Sequence, residues 1–203
     1  MRVVLFFSTI AAASIAMEAA AAADNLKGTY SFVGAQTCLV SPGGFKQDSK
    51  GSTTIPIGET DFSMLTSEGH VSYNGDGTGE ARQTFVTIVP PPALHGAAIS
   101  AGTISYSFTY APEGENAYRM ALKPGSFQGM LNAGPNAGQQ FTIEGDSRLF
   151  RVSEDGKKIT VSIDKPYLQK ITFSGSPNPV QRVCTSISNQ VLIDEAVTVG
   201  KAK

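Results

Sequence analysis

The sequence is short of charge, cysteine and tryptophan, and each shortage argues against a class of protein. Its 203 residues include 16 Lys and Arg, 17 Asp and Glu, two Cys, two His and no Trp. With no basic excess to neutralise phosphates, the chain lacks the charge of a nucleic-acid-binding protein. Two Cys cannot build a disulfide-dense miniprotein or a cysteine-rich zinc module. The apolar share of 41% argues against a disordered chain.

Residues 1–23 have the composition of a secretory signal peptide. A basic residue follows Met1, residues 3–17 are largely apolar, and residues 19–23 offer small side chains for cleavage. The apolar stretch is shorter than the roughly 20 residues of a membrane-spanning helix, and Glu18 ends it. We therefore predict an exported protein, periplasmic or extracellular, that is not an integral membrane protein.

Export changes the meaning of the two cysteines. Cys38 and Cys184 each stand in a strand-like run, and two lone cysteines in an oxidising compartment most often pair. The alternative is a redox-active or nucleophilic cysteine, but neither residue has a second Cys at CxxC spacing or an adjacent His. We predict a disulfide between Cys38 and Cys184.

Residues 24–203 are predicted to form one all-β domain. The clearest signal is residues 102–110, where aliphatic and aromatic side chains alternate strictly with Thr and Ser. Residues 74–77 (NGDG) strongly predict a hairpin turn, because Asn and Gly tolerate the positive φ angles that a tight turn requires. Similar runs and turns recur along the chain. They predict about eight to ten strands in an antiparallel, up-and-down, lipocalin-like β-barrel, with a β-sandwich as the alternative.

Several segments depart from the strand pattern. Residues 41–61, 90–96 and 123–138 are rich in Gly, Pro, Ser, Thr or Asn and are predicted as loops. Within the last loop, Phe127 and Met130 are expected to point inward. Residues 190–199 fit either a short helix or a final strand.

Three short segments resemble a loose group of exported bacterial β-proteins, most of which have no assigned function. They are residues 26–32 (LKGTYSF), 71–79 (VSYNGDGTG) and 102–106 (GTISY). More remotely, Gly28 and Tyr30 on the first strand are similar to the Gly-x-Trp start of lipocalin-like (calycin) barrels. That resemblance implies a barrel closed at one end by a late-strand arginine packed across the aromatic ring, and Arg182 is the residue in that position.

No arrangement of residues in the sequence names a reaction. The Gly-x-Ser-x-Gly elbow of a hydrolase is absent, and His70 and His95 stand at predicted strand-edge and loop positions. Residues 74–80 match the first half of a calcium loop, but Phe85 stands where the bidentate Glu is required. We predict no catalytic residue, no metal site and no cofactor. The sequence leaves open whether the protein is an enzyme, and it favours the answer that it is not.

The remaining candidate for a functional site is the interior of the predicted barrel. A closed barrel of about eight strands is either filled by side chains or holds one small ligand. The candidate ligand-binding residues are Tyr30, Phe32, Tyr106, Phe108 and Tyr110, because aromatic rings give a pocket apolar area and tyrosine adds a polar tip. The alternative is that these rings are the core itself.

The sequence therefore leads to three functional hypotheses. The first is a non-catalytic exported barrel that binds a small apolar or amphipathic molecule. The second is a structural or protein-interaction module at the cell surface, and the third is a barrel-type cyclase or isomerase. A large enclosed cavity would favour the first hypothesis, and a filled barrel with an exposed apolar patch would favour the second.

Overall fold

The fold is all-β, as predicted, and its main sheet closes on itself. The computed structural model describes residues 26–47, 53–56, 59–93, 96–145, 147–163, 167–176 and 178–194. Within these ranges the strands are β1 (Lys27–Ser41), β2 (Lys46–Gln47), β3 (Thr53–Thr54), β4 (Asp61–Asn74), β5 (Thr78–Val89), β6 (Ala98–Gly114), β7 (Ala117–Leu122), β8 (Gln128–Ala133), β9 (Gln140–Glu144), β10 (Ser147–Val152), β11 (Lys158–Ser162), β12 (Tyr167–Phe173) and β13 (Val180–Asp194). Eleven of them form one sheet, and β2 pairs only with β3.

Five long strands make a continuous wall. β13, β1, β4, β5 and β6 are neighbours in that order, with antiparallel pairing throughout. Buried and exposed residues alternate along these strands, as in β4, because successive side chains of a strand point to opposite faces. One face of this long wall therefore points into the ring, and the other faces solvent.

The opposite side of the ring is divided into two short arms. The first arm is β7, β10 and β11, and the second arm is β8, β9 and β12. The first arm pairs with residues 108–114 of β6 and 187–191 of β13. The second arm pairs with residues 101–105 of β6 and 180–184 of β13. Each arm completes a ring of eight strands with the long wall, so a divided barrel replaces the simple up-and-down order.

The boundary between the two arms is called the seam below. It runs from Tyr106 and Ser107 on β6 to Thr185 and Ser186 on β13, where no described residue of either arm pairs with the wall. Ser126, in the connection from β7 to β8, donates a hydrogen bond of 2.9 Å to the Ser107 carbonyl oxygen. At the seam, therefore, the chain passes from the first arm to the second while remaining hydrogen-bonded to β6 of the long wall.

The predicted disulfide is confirmed, and it lies where the ring closes. Cys38 on β1 is directly opposite Cys184 on β13, and the two sulfurs are bonded. Both residues are 1% exposed. The Oε1 atom of Gln169 lies 3.7 Å from the Cys184 Sγ atom, on the inner face of the barrel. The bond thus fastens the two strands that complete the ring, within a buried and partly polar setting.

The predicted hairpin at residues 74–77 is confirmed as the connection between β4 and β5. Gly75 and Gly77 have φ angles of 83° and 82°, in the left-handed region that favours glycine. The Asp76 carboxylate accepts hydrogen bonds from the Thr78 hydroxyl, at 2.6 Å, and the Thr78 amide, at 2.9 Å. These bonds lower the pKa of Asp76. The carboxylate that matched a position of a calcium loop thus stabilises the turn.

Two local predictions are settled by the strand register. Phe127 is buried as expected, but the inward orientation predicted for Met130 is wrong, since Met130 is 39% exposed. Met130 belongs to β8, in which Gly129 and Leu131 are the buried residues, and alternation turns Met130 outward. Of the ambiguous segment 190–199, the part up to residue 194 continues β13, which favours the strand alternative. The rest of that segment and the predicted signal peptide lie outside the described residues.

Two buried tyrosines predict a loss of stability at alkaline pH. Burial raises the pKa of Tyr73 and of Tyr110 above the ordinary value of 10.0. The folded state therefore holds these protons more tightly than the unfolded chain, and their contribution to stability is complete below pH 10 and falls as the pH rises further. For each such proton the slope approaches a limit of about 1.4 kcal/mol per pH unit above pH 10, and the fall between pH 9 and 11 is at most about 1.4 kcal/mol in total. Urea unfolding between pH 9 and 11, with phenolate absorbance of folded and unfolded protein, checks this. Two phenols that ionise in the folded protein as readily as in the unfolded chain would contradict it.

Candidate functional site

The predicted ligand-binding residues all lie on the inner face of the barrel. Tyr30, Phe32, Tyr106, Phe108 and Tyr110 are between 1% and 7% exposed. They belong to one cluster with rings from both arms, and edge-to-face and stacked contacts join neighbouring members. This packing is what the alternative reading of the sequence, a filled core, requires. A role in binding a ligand stays a prediction for these residues.

The hydroxyl groups of three of the buried tyrosines bond to the chain itself. The Tyr30 hydroxyl donates to the Gly156 carbonyl oxygen at 2.6 Å, and the Tyr110 hydroxyl donates to the Leu26 carbonyl oxygen at 2.9 Å. The Tyr73 hydroxyl donates to the Gln190 Oε1 atom at 3.1 Å. A buried phenol needs such a partner, and here each partner is part of the fold.

A small cavity lined by both polar and apolar residues lies next to the seam. Its volume is about 40 Å³. Tyr106, Phe127 and Ser186 border it at the seam, and Arg148 and Gln169 reach it from the first and second arms. A site of this size holds no more than a few water molecules, since a cavity needs about 10–15 Å³ for each. The cavity is therefore far smaller than a pocket for an apolar ligand, which needs about 300 Å³ or more.

Buried polar side chains line this cavity, and the sequence analysis had singled out only Arg182 among them. Gln36, Gln169 and Arg182 are buried on the inner face, with 8%, 1% and 9% of their surface exposed. The Arg182 Nε atom donates to the Gln169 Oε1 atom at 2.6 Å. Arg148 is two residues from the fully buried Phe150 on β10, so both point inward. A polar residue in phase with buried aromatics was the sequence signal that could have revealed them.

The arginine contact implied by the lipocalin resemblance is absent. Arg182 is opposite Val40 in the β1–β13 ladder, whereas Tyr30 is opposite Leu192. These positions are at different ends of the ladder, because strands extend by about 3.3 Å per residue. Arg182 therefore contacts Gln169 rather than the ring of Tyr30.

On the outside of the barrel, a broad groove crosses the long wall and the second arm. Its volume is about 1210 Å³, and Glu68, His70 and Arg82 are its ionisable residues. Ser31 lies directly opposite His70. In the ranges that the structure covers, His70 has no hydrogen bond to Ser31 or Glu68. The groove thus brings together polar residue types without linking them as a catalytic triad.

A second feature of the outer surface is apolar. The outer patch consists of Phe62, Met64, Val86, Ile88 and Ile99, which are between 39% and 65% exposed. Met64 is directly opposite Ile88, and Ile88 is directly opposite Ile99, so the patch extends across three adjacent strands. Thr66 and Ala101 lie on either side of Val86 on the same outer face, and they are also uncharged.

None of the residues described here forms a group of three or more His, Cys, Asp or Glu placed to hold a metal ion. The same residues include no helix that is long and apolar enough to cross a membrane. His95, the second histidine considered in the sequence, lies outside the described ranges.

Comparison with known proteins does not assign the chain to a family. No protein-family model matches it, and no curated protein is significantly similar.

Proposed function

We propose that this protein is a non-catalytic structural or interaction module that acts outside the cytoplasm and binds another protein through the outer patch. The observation that carries the proposal is the combination of an aromatic-filled interior with five exposed apolar side chains on three neighbouring strands. Exposed apolar surfaces of this kind mark sites of protein association, because covering them releases water from apolar area.

The composition of the outer patch fits the centre of a protein interface. Interface centres are depleted in charge and enriched in aromatic residues and methionine. Phe62 and Met64 supply those residue types, and Val86, Ile88 and Ile99 supply branched aliphatic area. The charged residues Glu68 and Arg82 lie further along the same strands, at the groove, where they border the patch.

The occupant we propose is the same patch of a second copy of this chain. An uncharged apolar face is complementary to itself, and a two-fold axis through the central strand β5 would place each Ile88 near its counterpart. Sheets pack face to face about 10 Å apart in this way, with side chains from both surfaces interleaved. The protein would then assemble in the compartment to which the predicted signal peptide, residues 1–23, would direct it. The disulfide supports that location, since such bonds persist in oxidising compartments.

Sedimentation of the oxidised protein over a range of concentrations tests the proposal. We expect a reversible dimer for the parent chain and at least a tenfold weaker dimer for the double variant Met64→Thr/Ile88→Thr, because apolar contact area is removed on both copies. Ile193→Thr is the matched control. Ile193 is 55% exposed but lies at the far end of β13, outside the patch.

The stability of these variants separates binding from folding. All three substitutions are at exposed positions, so each is expected to change the free energy of unfolding by no more than about 0.5 kcal/mol. A parent protein that stays monomeric up to about 1 mM would overturn the proposed self-association. A dimer that the double variant forms equally well would show that the outer patch is not the interface.

A further inference from the structure

The groove on the outside of the barrel contains a row of polar side chains that are in register on neighbouring strands. On the long wall, Ser31 of β1 lies directly opposite His70 of β4. His70 lies opposite Arg82 of β5, which in turn lies opposite Ser105 of β6. All four residues line the groove. They are the first part of what is called the polar row below.

The polar row continues from the long wall onto the second arm. Ser105 lies directly opposite Gln128 of β8, and Thr142 of β9 lies directly opposite Thr172 of β12. The register of the β8–β9 pair places Gln128 level with Thr142. Neighbouring strands are about 4.8 Å apart, so the row extends for about 29 Å along the sheet from β1 to β12. The groove therefore presents an extended line of hydrogen-bonding groups that runs across the strands.

The charge of the groove points to a neutral ligand. Among the described residues that line it, Glu68 and Arg82 carry opposite permanent charges, and none is a lysine. Such a surface has no excess of one sign to attract a strongly acidic or basic polymer. Most of its polar groups are hydroxyls and amides, which are uncharged and can both donate and accept hydrogen bonds.

The longer side chains of the polar row are available to a ligand. In the ranges that the structure describes, Arg82, Gln128 and His70 form no side-chain hydrogen bond or ion pair. Glu68 is two residues from His70 on β4, yet it is not paired with Arg82. The guanidinium only donates hydrogen bonds, whereas the amide and the imidazole offer both a donor and an acceptor. A ligand that suits all of them must also donate and accept, as alcohol hydroxyl groups do.

Apolar side chains lie beside the polar row. Val33, two residues from Ser31, is 61% exposed, and Met130, two residues from Gln128, is 39% exposed. Both line the groove. The C–H face of a sugar ring can pack on such side chains while its hydroxyl groups reach the polar row. The groove volume of about 1210 Å³ exceeds the range of about 300–1,000 Å³ for sites that hold a drug-sized molecule, so there is room for several sugar units.

We infer that the groove on the outside of the barrel binds a neutral, extended oligosaccharide whose hydroxyl groups are hydrogen-bonded by the polar row. The sugar chain runs across the strands, from the long wall onto the second arm. The groove is next to the outer patch but is lined by different residues. The sugar site is therefore an addition to the proposed protein interface and does not depend on it.

Titration of the 15N-labelled, oxidised protein with cellohexaose and with chitohexaose, followed by NMR, tests the inference. Both probes are neutral, extended chains of six sugars, and we expect at least one to bind with a dissociation constant of about 1 mM or tighter. The matching disaccharide should bind at least tenfold more weakly, because it reaches only part of the row. Binding of neither hexasaccharide, equal binding of the disaccharide, or tighter binding of the acidic hexagalacturonate would overturn the inference.

Arg82→Ala/Gln128→Ala is the test variant, and Arg151→Ala is the matched control. Both test positions are exposed, so we expect the variant to fold. Arg151 is an exposed arginine on β10 of the first arm, outside the groove. The test variant should bind the hexasaccharide at least tenfold more weakly, because several hydrogen bonds are lost, whereas the control should bind it as the parent does. Unchanged affinity in the test variant would contradict the proposed site.

The location of the NMR shifts keeps the test valid if the test variant does not fold. In the parent protein, the largest shifts are expected at backbone amides of the polar row on β5, β6 and β8. Shifts confined to the first arm or to the outer patch would overturn the inference. The variant Met64→Thr/Ile88→Thr, designed to weaken the dimer, should bind the sugar as the parent does, so this inference and the proposed self-association can fail independently.

Discussion

Reduction of the Cys38–Cys184 disulfide is expected to lower the free energy of unfolding by about 4–5 kcal/mol. The bond joins residues 146 positions apart, and a cross-link over so long a loop removes much of the conformational freedom of the unfolded chain. It also fastens β1 to β13, the pair that closes the ring. Urea unfolding of oxidised and reduced protein measures the difference.

The double variant Cys38→Ala/Cys184→Ala provides the control for reduction. It should be as unstable as the reduced parent, and a reductant should leave its unfolding curve unchanged. Thiol labelling of the unreduced, denatured parent is expected to find no free thiol. Two labels per chain, or equal stability with and without reductant, would show that the bond is absent or contributes nothing.

Truncation of Tyr106 to alanine is expected to cost about 3–5 kcal/mol. The side chain is 7% exposed, and its ring stacks on that of Phe127 at a centroid distance of 5.9 Å and an interplanar angle of 3°. Removing the ring would leave a cavity in the core beside β6, at the seam. Tyr106→Phe keeps the ring and should cost far less, about 1 kcal/mol for the lost hydroxyl.

The same variant separates a packed core from a ligand pocket. A fluorescent apolar probe is titrated into the folded parent and into Tyr106→Ala, beside the denaturant melts. If the interior holds an apolar ligand, the parent should bind the probe, and the truncation should change affinity more than stability. A large loss of stability with no probe binding by the parent would remove the small-ligand hypothesis for these aromatic residues.

The alternation of side chains predicted the inner face of the barrel but not its division into arms. Residues 102–110 were identified as a strand with one apolar face, and the buried residues of β6 follow that pattern. Alternation identifies a face and not the neighbour that pairs with it, so it could not show that β6 pairs with β7 over one part and β8 over another. That choice depends on contacts between residues distant in sequence.

The candidate sites were harder to predict than the strands. Arg148 lies on β10, and its inward position follows only when its phase relative to Phe150 is considered. Phe62 and Met64 fall in a strand whose opposite face is buried, so their exposure depends on register rather than on residue type. Apolar side chains on an outer face look the same in sequence as those of the core.

Pairing of β1 with β13 makes the barrel a structure of high contact order. The entropy of closing a loop across nearly the whole described chain must be overcome before these strands gain any hydrogen bonds from each other. Until then, β1 presents an open edge whose unpaired backbone groups can template pairing with another chain. A chain that folds after export would pass through this open-edged state, and the interval before ring closure is when aggregation competes most strongly with folding.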